Sequence, residues 1–235
     1  MATDAHTTRP WLGRAKRYDW LIAFALYALL TLLMTWPGIT RLSTELIGGR
    51  DDLLIHQWTY WWVKEALLTG QNPFYTTLLY WPQGASLTSH NIAWFNIALW
   101  LPLQALLGHI AAYNLVVLLA FTLNGWTMYL FARAELGHKL AAFTAGVVFA
   151  YWPYTMSHYD HANMYVVFGV PLIMLGVRRL TEAERPRVNT AVFTALAIAL
   201  TGIIRWQLLI MSLPVVGLYI AYRLVQTGVT RHKLL

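Results

Sequence analysis

The chain has 235 residues, of which 58% are hydrophobic and 11% charged, against roughly 25% charged residues in an ordinary soluble domain. A soluble fold of this length could not cover so much apolar surface, so the composition indicates a helical membrane protein. The net charge is +7, but the basic residues flank the apolar runs and do not form a polar patch, which argues against a nucleic-acid partner. The absence of cysteine excludes disulfides, thiol chemistry and cysteine-based metal sites.

Seven apolar runs follow one another along the chain, at 20–36, 92–108, 112–132, 140–157, 163–177, 189–204 and 206–222. The first run is preceded by basic residues, as a signal peptide would be, but it is longer than the usual hydrophobic region. Its end, Met34-Thr35-Trp36-Pro37, offers no small-residue cleavage site. We therefore expect an uncleaved first span.

The distribution of basic residues distinguishes two topologies, because Lys and Arg accumulate on cytoplasmic loops. If the N-terminus is cytoplasmic and all seven runs cross, five of the 17 Lys and Arg lie inside and 12 outside. If 92–108 lies at the outer surface instead, 13 lie inside and four outside. The chain is therefore predicted to be an all-α integral protein of the plasma (inner) membrane, with six, alternatively seven, transmembrane helices and both termini cytoplasmic.

The six-span arrangement predicts a single membrane domain over 1–235. Its parts are a cytoplasmic tail 1–19, a first span 20–36, an outer loop 37–113, five further spans in 114–224 and a cytoplasmic tail 225–235. A loop as long as 37–113 is too long for a plain connection and is typical of a functional segment. Its periodicity predicts two interfacial helices, 52–68 and 92–108. The aromatic residues of 58–62 and 80–81 are interpreted as interface anchors rather than a sugar-stacking platform.

Three polar clusters fall on the predicted outer side, where ionisable groups beside a bilayer tend to mark function. The clusters are Asp51, Asp52 and His56; His90 and Asn91; and His158, Asp160 and His161. The two adjacent carboxylates could supply a general base or a metal site, or could cap a solvated helix.

The other outer groups leave similar alternatives open. His158-x-Asp160-His161 could bind a divalent metal, pair an acid with a base, or form a wet loop at the headgroups. Arg205 could bind a phosphate through its guanidinium or extend to lipid headgroups. Neither a metal nor a cofactor can be named from these residues.

The order of the outer motifs resembles a known family. The motifs are Gly48-Gly49-x-Asp51-Asp52, a Trp-rich helix, Tyr80-Trp81-Pro82-Gln83-Gly84, a second outer helix, Tyr113-Asn114, Ala132-Arg133 and Ser157-His158-x-x-His161. Over about residues 18–225 the chain resembles the N-terminal half of bacterial GT-C-type membrane glycosyltransferases, relatives of the protein mannosyltransferases and aminoarabinose transferases.

This resemblance implies transfer of a sugar from a polyprenyl-phosphate carrier to an acceptor on the outer face. Asp52, or its neighbour Asp51, would act as general base or organise the site, and Arg205 would engage the lipid phosphate. The remaining substrate-binding candidates are the polar residues of the outer clusters, His56, His90, His158, Asp160 and His161.

Catalytic members of that group have more spans and often a soluble C-terminal domain. Either a second polypeptide completes an enzyme here, or the chain is a shortened relative without catalysis. The alternative function is thus a non-catalytic subunit of a larger membrane complex, photosynthetic or respiratory, whose Trp-rich surface packs against other subunits. A transporter is a weaker third interpretation, because no predicted span carries a buried charge. The expected partners are membrane lipid, a polyprenyl-phosphate sugar and other membrane subunits, with no nucleic acid.

Overall fold

The fold is known from a computed structural model, which describes residues 18–48, 51–90, 92–158, 161–183 and 187–228. The described helices are α1 (Asp19–Met34), α2 (Asp51–Thr69), α3 (Trp94–Leu107), α4 (His109–Leu136), α5 (Lys139–Tyr151), α6 (Pro153–Ser157), α7 (Ala162–Tyr165), α8 (Gly169–Glu182), α9 (Val188–Ile204) and α10 (Trp206–Thr227). A short 3-10 helix spans Gly38–Arg41, and an antiparallel pair of two-residue strands joins β1 (Tyr75–Thr76) to β2 (Ala85–Ser86). The predicted all-α class is confirmed.

Two of the described helices, α4 and α10, are long and apolar enough to cross a membrane by length and composition. With 28 and 22 residues, they extend about 42 Å and 33 Å at 1.5 Å per residue, against a hydrocarbon core about 30 Å thick. Helices α1, α3 and α9 are apolar but shorter.

Helix α4 is the centre of the bundle and packs against α1, α3, α5 and α8, while α10 packs against α8 and α9. The crossing of α1, α4 and α5 is close because Tyr27 lies against two glycines, Gly125 and Gly146. The Tyr27 hydroxyl donates a 2.8 Å hydrogen bond to the carbonyl oxygen of Phe143 on α5. A larger residue at either glycine would overlap the Tyr27 ring, so these small residues set the spacing of the three helices.

Two of the predicted spans are not continuous helices. The run 140–157 is interrupted at Trp152, whose extended backbone (ψ 154°) is the conformation imposed on a residue that precedes proline, here Pro153. The run 163–177 is interrupted between α7 and α8. There the buried side chain of Asn124 on α4 donates to the Tyr165 carbonyl oxygen (2.6 Å) and accepts from the Val167 amide (3.1 Å). Asn124 thus satisfies the backbone groups that the interruption leaves without helical partners.

A second buried asparagine, Asn114, holds the segment that leads into α2. Its side-chain amide donates to the carbonyl oxygens of Leu42 and Glu45, each at 2.8 Å. Its side-chain oxygen accepts from the Ile47 amide at 2.8 Å. Three bonds from one fully buried side chain fix the loop that immediately precedes α2.

The predicted helix 52–68 is present as α2, and its polar face turns toward the protein. His56 and Thr59 are buried, whereas Leu54, Ile55 and Leu68 on the other side are exposed. The predicted helix 92–108 is present as α3, with Asn96 and Trp100 buried against the rest of the bundle.

A charged cluster joins three helices at the end of the bundle opposite the α9–α10 turn. We call it the Glu135 cluster; it comprises Glu135, Arg178, Tyr219 and Arg223. Glu135 accepts from Arg178 (2.8 Å) and from the Tyr219 hydroxyl (3.0 Å), and it lies 3.5 Å from Arg223. At the start of α1, Asp19 pairs with Lys139 at 2.7 Å.

Candidate functional site

The structure brings together two of the predicted site residues that lie far apart in the sequence. Asp52, in the first turn of α2, pairs its Oδ2 with Nε2 of His161 at 2.7 Å. Helix α2 supplies the carboxylate and the residue just before α7 supplies the imidazole. Both side chains are only partly buried, at 47% and 26% exposure, so the pair remains accessible to a ligand.

The contacts continue from this pair to an aromatic side chain. The rings of His161 and His158 lie 5.5 Å apart, and the His158 ring stacks on Tyr154 at 4.2 Å. Nδ1 of His158 is 2.8 Å from the Tyr154 carbonyl oxygen, which fixes the orientation of the imidazole. The Tyr154 hydroxyl contacts the Met164 sulfur at 3.7 Å.

Tyr154 opens onto an apolar groove between α5, α8 and α10. Two adjoining cavities, of about 460 and 470 Å³, share Tyr154, Met164, Val167 and Met211 as walls. The rest of the second cavity is mostly apolar, with Val148, Phe149, Leu208 and Val215 among its lining residues. We call the two together the apolar groove; its polar end is formed by Arg205 and Gln207.

Arg205 occupies the sharp turn between α9 and α10 in an extended conformation. Its side chain is half-buried, and this burial lowers the pKa of the guanidinium from its ordinary value, partly offset by Tyr154. Within the described residues no carboxylate pairs with it, and its Nε is buried without a hydrogen-bond acceptor. A guanidinium in this state is well suited to an anionic oxygen of a ligand.

A separate cavity of about 250 Å³ lies on the other side of Arg205. We call it the aromatic chamber; its walls include Phe74, Thr88, His90, Trp94, Arg205 and Trp206. Nε2 of His90 is 3.1 Å from the Thr59 hydroxyl, which ties the chamber to α2. Burial lowers the pKa of His90, so the imidazole is neutral at pH 7 and can both donate and accept.

The predicted residues thus form one connected region, with three exceptions. Asp52 and His161 are paired, His158 lies beside them, and Arg205 and His90 share a cavity. His56 is buried one turn after Asp52 and does not line either the apolar groove or the aromatic chamber.

The other two exceptions are Asp51 and Asp160. Asp160 lies outside the described residues, and of Asp51 only the backbone is described. In the part of the chain that is described, no three His, Asp or Glu side chains converge as metal ligands. Neither the carboxylate-pair nor the His158-x-Asp160-His161 metal hypothesis is therefore tested.

Sequence reasoning missed the aromatic and hydroxyl groups that line the cavities, chiefly Tyr154, Trp94 and Thr88. Tyr154 had a local signal, because it follows Pro153 at a helix interruption beside His158. Trp94 and Thr88 had none, since their role depends on the approach of α9 and α10 from more than a hundred residues away. Comparisons of the chain with protein families, with curated proteins and with solved structures find no match.

Proposed function

We propose that this chain is a membrane-embedded protein of the GT-C glycosyltransferase type, which takes a sugar from a polyprenyl phosphate. The observation that carries the proposal is the apolar groove. It ends at Arg205, which has no carboxylate partner among the described residues, and such a channel fits an isoprenoid chain with a phosphate at its head. The same groove leads through Tyr154 and His158 to the Asp52–His161 pair.

A six-span topology places this region on the outer side. Arg205 and the Glu135 cluster lie at opposite ends of the bundle. Arg205 immediately precedes α10 and Arg223 lies near its C-terminal end, and the helical rise from one position to the other is about 27 Å. That separation matches the hydrocarbon thickness of a bilayer. The interruption between α7 and α8 is compatible with a membrane interior, because the side chain of Asn124 hydrogen-bonds the backbone groups that lack helical partners there.

In the proposed reaction, an acceptor hydroxyl attacks the anomeric carbon of the lipid-linked sugar. The new glycosidic C–O bond forms as the bond from that carbon to the phosphate oxygen breaks, and the electron pair leaves with the phosphate. Arg205 stabilises the released phosphate charge. The hydroxyl proton passes to the Asp52 carboxylate, and His161 positions that carboxylate through the 2.7 Å contact.

Sugar transfer in proteoliposomes tests the proposal. The full chain is reconstituted with radiolabelled polyprenyl-phosphate sugars and with extracted membrane acceptors. We expect Asp52→Ala to abolish transfer while insertion and thermal stability are retained. Glu65→Ala is the matched control, because it removes a carboxylate from the same helix outside the described site. Undiminished transfer by Asp52→Ala would sink the proposal.

A second candidate function is a non-catalytic subunit of a larger membrane assembly. It is favoured by large exposed apolar side chains along α1 and α10, such as Leu33, Met211 and Leu218, which could contact other subunits as well as lipid. Purification in a mild detergent with mass spectrometry of the co-eluting proteins separates the two candidates. Stoichiometric partner subunits without sugar transfer support the second; a chain that elutes alone contradicts it.

A further inference from the structure

The aromatic chamber has the composition of a carbohydrate site. Three aromatic side chains, Phe74, Trp94 and Trp206, supply apolar faces against which a sugar ring can stack. Phe74 and Trp94 hold each other at a ring distance of 5.4 Å, so this part of the wall is preorganised. The polar groups are Thr88, His90 and Arg205, which offer hydroxyl, imidazole and guanidinium partners for ring hydroxyls.

The size of the chamber limits what can enter. Its volume of about 250 Å³ lies below the roughly 300–1,000 Å³ typical of pockets for drug-sized ligands. A single sugar ring fits the volume of the chamber better than an oligosaccharide or a nucleotide does. The mouth is accessible, because Thr88 and Trp206 are exposed.

The polar groups argue for a neutral or singly charged ring rather than free phosphate. His90 is neutral at pH 7 because burial lowers its pKa, which leaves Arg205 as the only cation among the described lining residues. A neutral imidazole, held by the Thr59 hydroxyl at 3.1 Å, can exchange hydrogen bonds with a sugar hydroxyl. An inorganic anion has no apolar surface that could contact the mostly apolar walls.

We propose that the aromatic chamber binds one monosaccharide ring, stacked on Trp94 and hydrogen-bonded by Thr88, His90 and Arg205. The inference deepens the proposed function and rests on it for the role of the ring. Arg205 borders both the chamber and the apolar groove, so a lipid phosphate at Arg205 would lie beside the bound sugar. The ring is either the donor sugar of that lipid or the sugar end of the acceptor.

Binding is tested on the purified full chain in nanodiscs by saturation-transfer NMR. The probes are the methyl glycosides of glucose, galactose, mannose and arabinose, together with inorganic phosphate, whose binding is followed by phosphorus NMR line broadening because it has no carbon-bound protons. We expect at least one glycoside to bind, and Trp94→Leu to weaken its affinity about tenfold or more. Thr88→Val, an exposed substitution that preserves shape, should weaken it less. Trp81→Leu is the matched control, because Trp81 is 77% exposed and lies outside the chamber lining.

The outcomes separate the two sugar sources and the two proposals. Loss of glycoside signal on adding the polyprenyl-phosphate sugar assigns the chamber to the donor, and retained signal assigns it to the acceptor. Binding by none of the glycosides, binding of phosphate alone, or unchanged binding by both Trp94→Leu and Thr88→Val overturns the inference. Because the measurement does not depend on Asp52, a functional sugar site without transfer would refute only the proposed catalysis.

Discussion

Replacing Asn114 with leucine should loosen the segment that places Asp52. Leucine has the same branching and the same number of side-chain heavy atoms as asparagine, although its methyl groups are bulkier, so the change removes hydrogen bonds without opening a cavity. Three bonds are lost, each 2.8 Å long: those to Leu42, Glu45 and Ile47. At about 1 kcal/mol net for each, the loss is about 3 kcal/mol.

The loss should not be recovered by water, because the partners are shielded. Asn114 is fully buried and Ile47 is only 8% exposed, so the Ile47 amide is left without an acceptor. For a chain of this size the expected fall in the thermal midpoint is about 6–12 °C.

The assay combines thermal unfolding in detergent with hydrogen exchange read by mass spectrometry. We expect the Asn114→Leu chain to show the lower midpoint and faster exchange in the peptide that contains Ile47. Asn72→Leu is the control, since Asn72 is exposed and its side chain makes a single bond to the Phe74 amide at 2.9 Å. An Asn114→Leu protein with the wild-type midpoint and wild-type exchange at Ile47 would refute the reasoning.

Three further outcomes are expected from thermal unfolding. Gly146→Ala should destabilise the protein by about 1–3 kcal/mol, because the added methyl group would overlap the Tyr27 ring. Gly217→Ala, in open space on α10, should be neutral or stabilising. Equal effects of the two substitutions would contradict the proposed packing. Glu135→Gln should destabilise the protein by about 3 kcal/mol or more, because it leaves the buried Arg223 without its carboxylate partner. If added salt lowers the stability of the wild type to that of the mutant, the pair is solvated and the reasoning fails. Burial lowers the pKa of His90, so its contribution to the free energy of unfolding is fully present above about pH 6.5 and decreases at lower pH, because the unfolded chain takes up the proton first. A His90→Gln chain should therefore lose less stability than wild type between about pH 6.5 and 5. Parallel plots of stability against pH for the two chains would contradict this.

The helices of the outer segment were predictable because their signals are local. An acidic N-cap and the helical spacing (i, i+4, i+7) of the polar residues indicated the helix 52–68. The apolar run 92–108 indicated the next helix. Both are present as α2 and α3 with ends shifted by one or two residues. The interruption at Trp152 was also readable in principle, because a proline follows it.

The interruption between α7 and α8 carries only a partial local signal. Gly169 and Pro171 lie in the first turn of α8, but the side chain that stabilises the interruption is Asn124 on α4. A buried asparagine within an apolar run signals a polar partner, but the sequence does not say which one.

The candidate site was predictable as a set of residues and not as a geometry. The charge distribution placed Asp52, His161 and Arg205 on one predicted side, and the structure pairs the first two directly. The apolar groove arises where α10 packs beside α5, α6 and α8, and the aromatic chamber arises where residues of 74–90 and the start of α3 meet the α9–α10 turn. Contacts of that kind join residues more than fifty positions apart, which no local pattern records.

The most direct test of the proposed lipid site is a binding titration with undecaprenyl phosphate, followed by native mass spectrometry of the full chain. We expect the wild-type chain to bind one lipid and Arg205→Gln to bind it about tenfold or more weakly, because the phosphate loses its guanidinium partner. Arg41→Gln is the matched control, since Arg41 is an exposed arginine already paired with Glu45. Equal affinity of the Arg205→Gln and wild-type chains, or no binding by either, would contradict a lipid-phosphate site at this end of the groove.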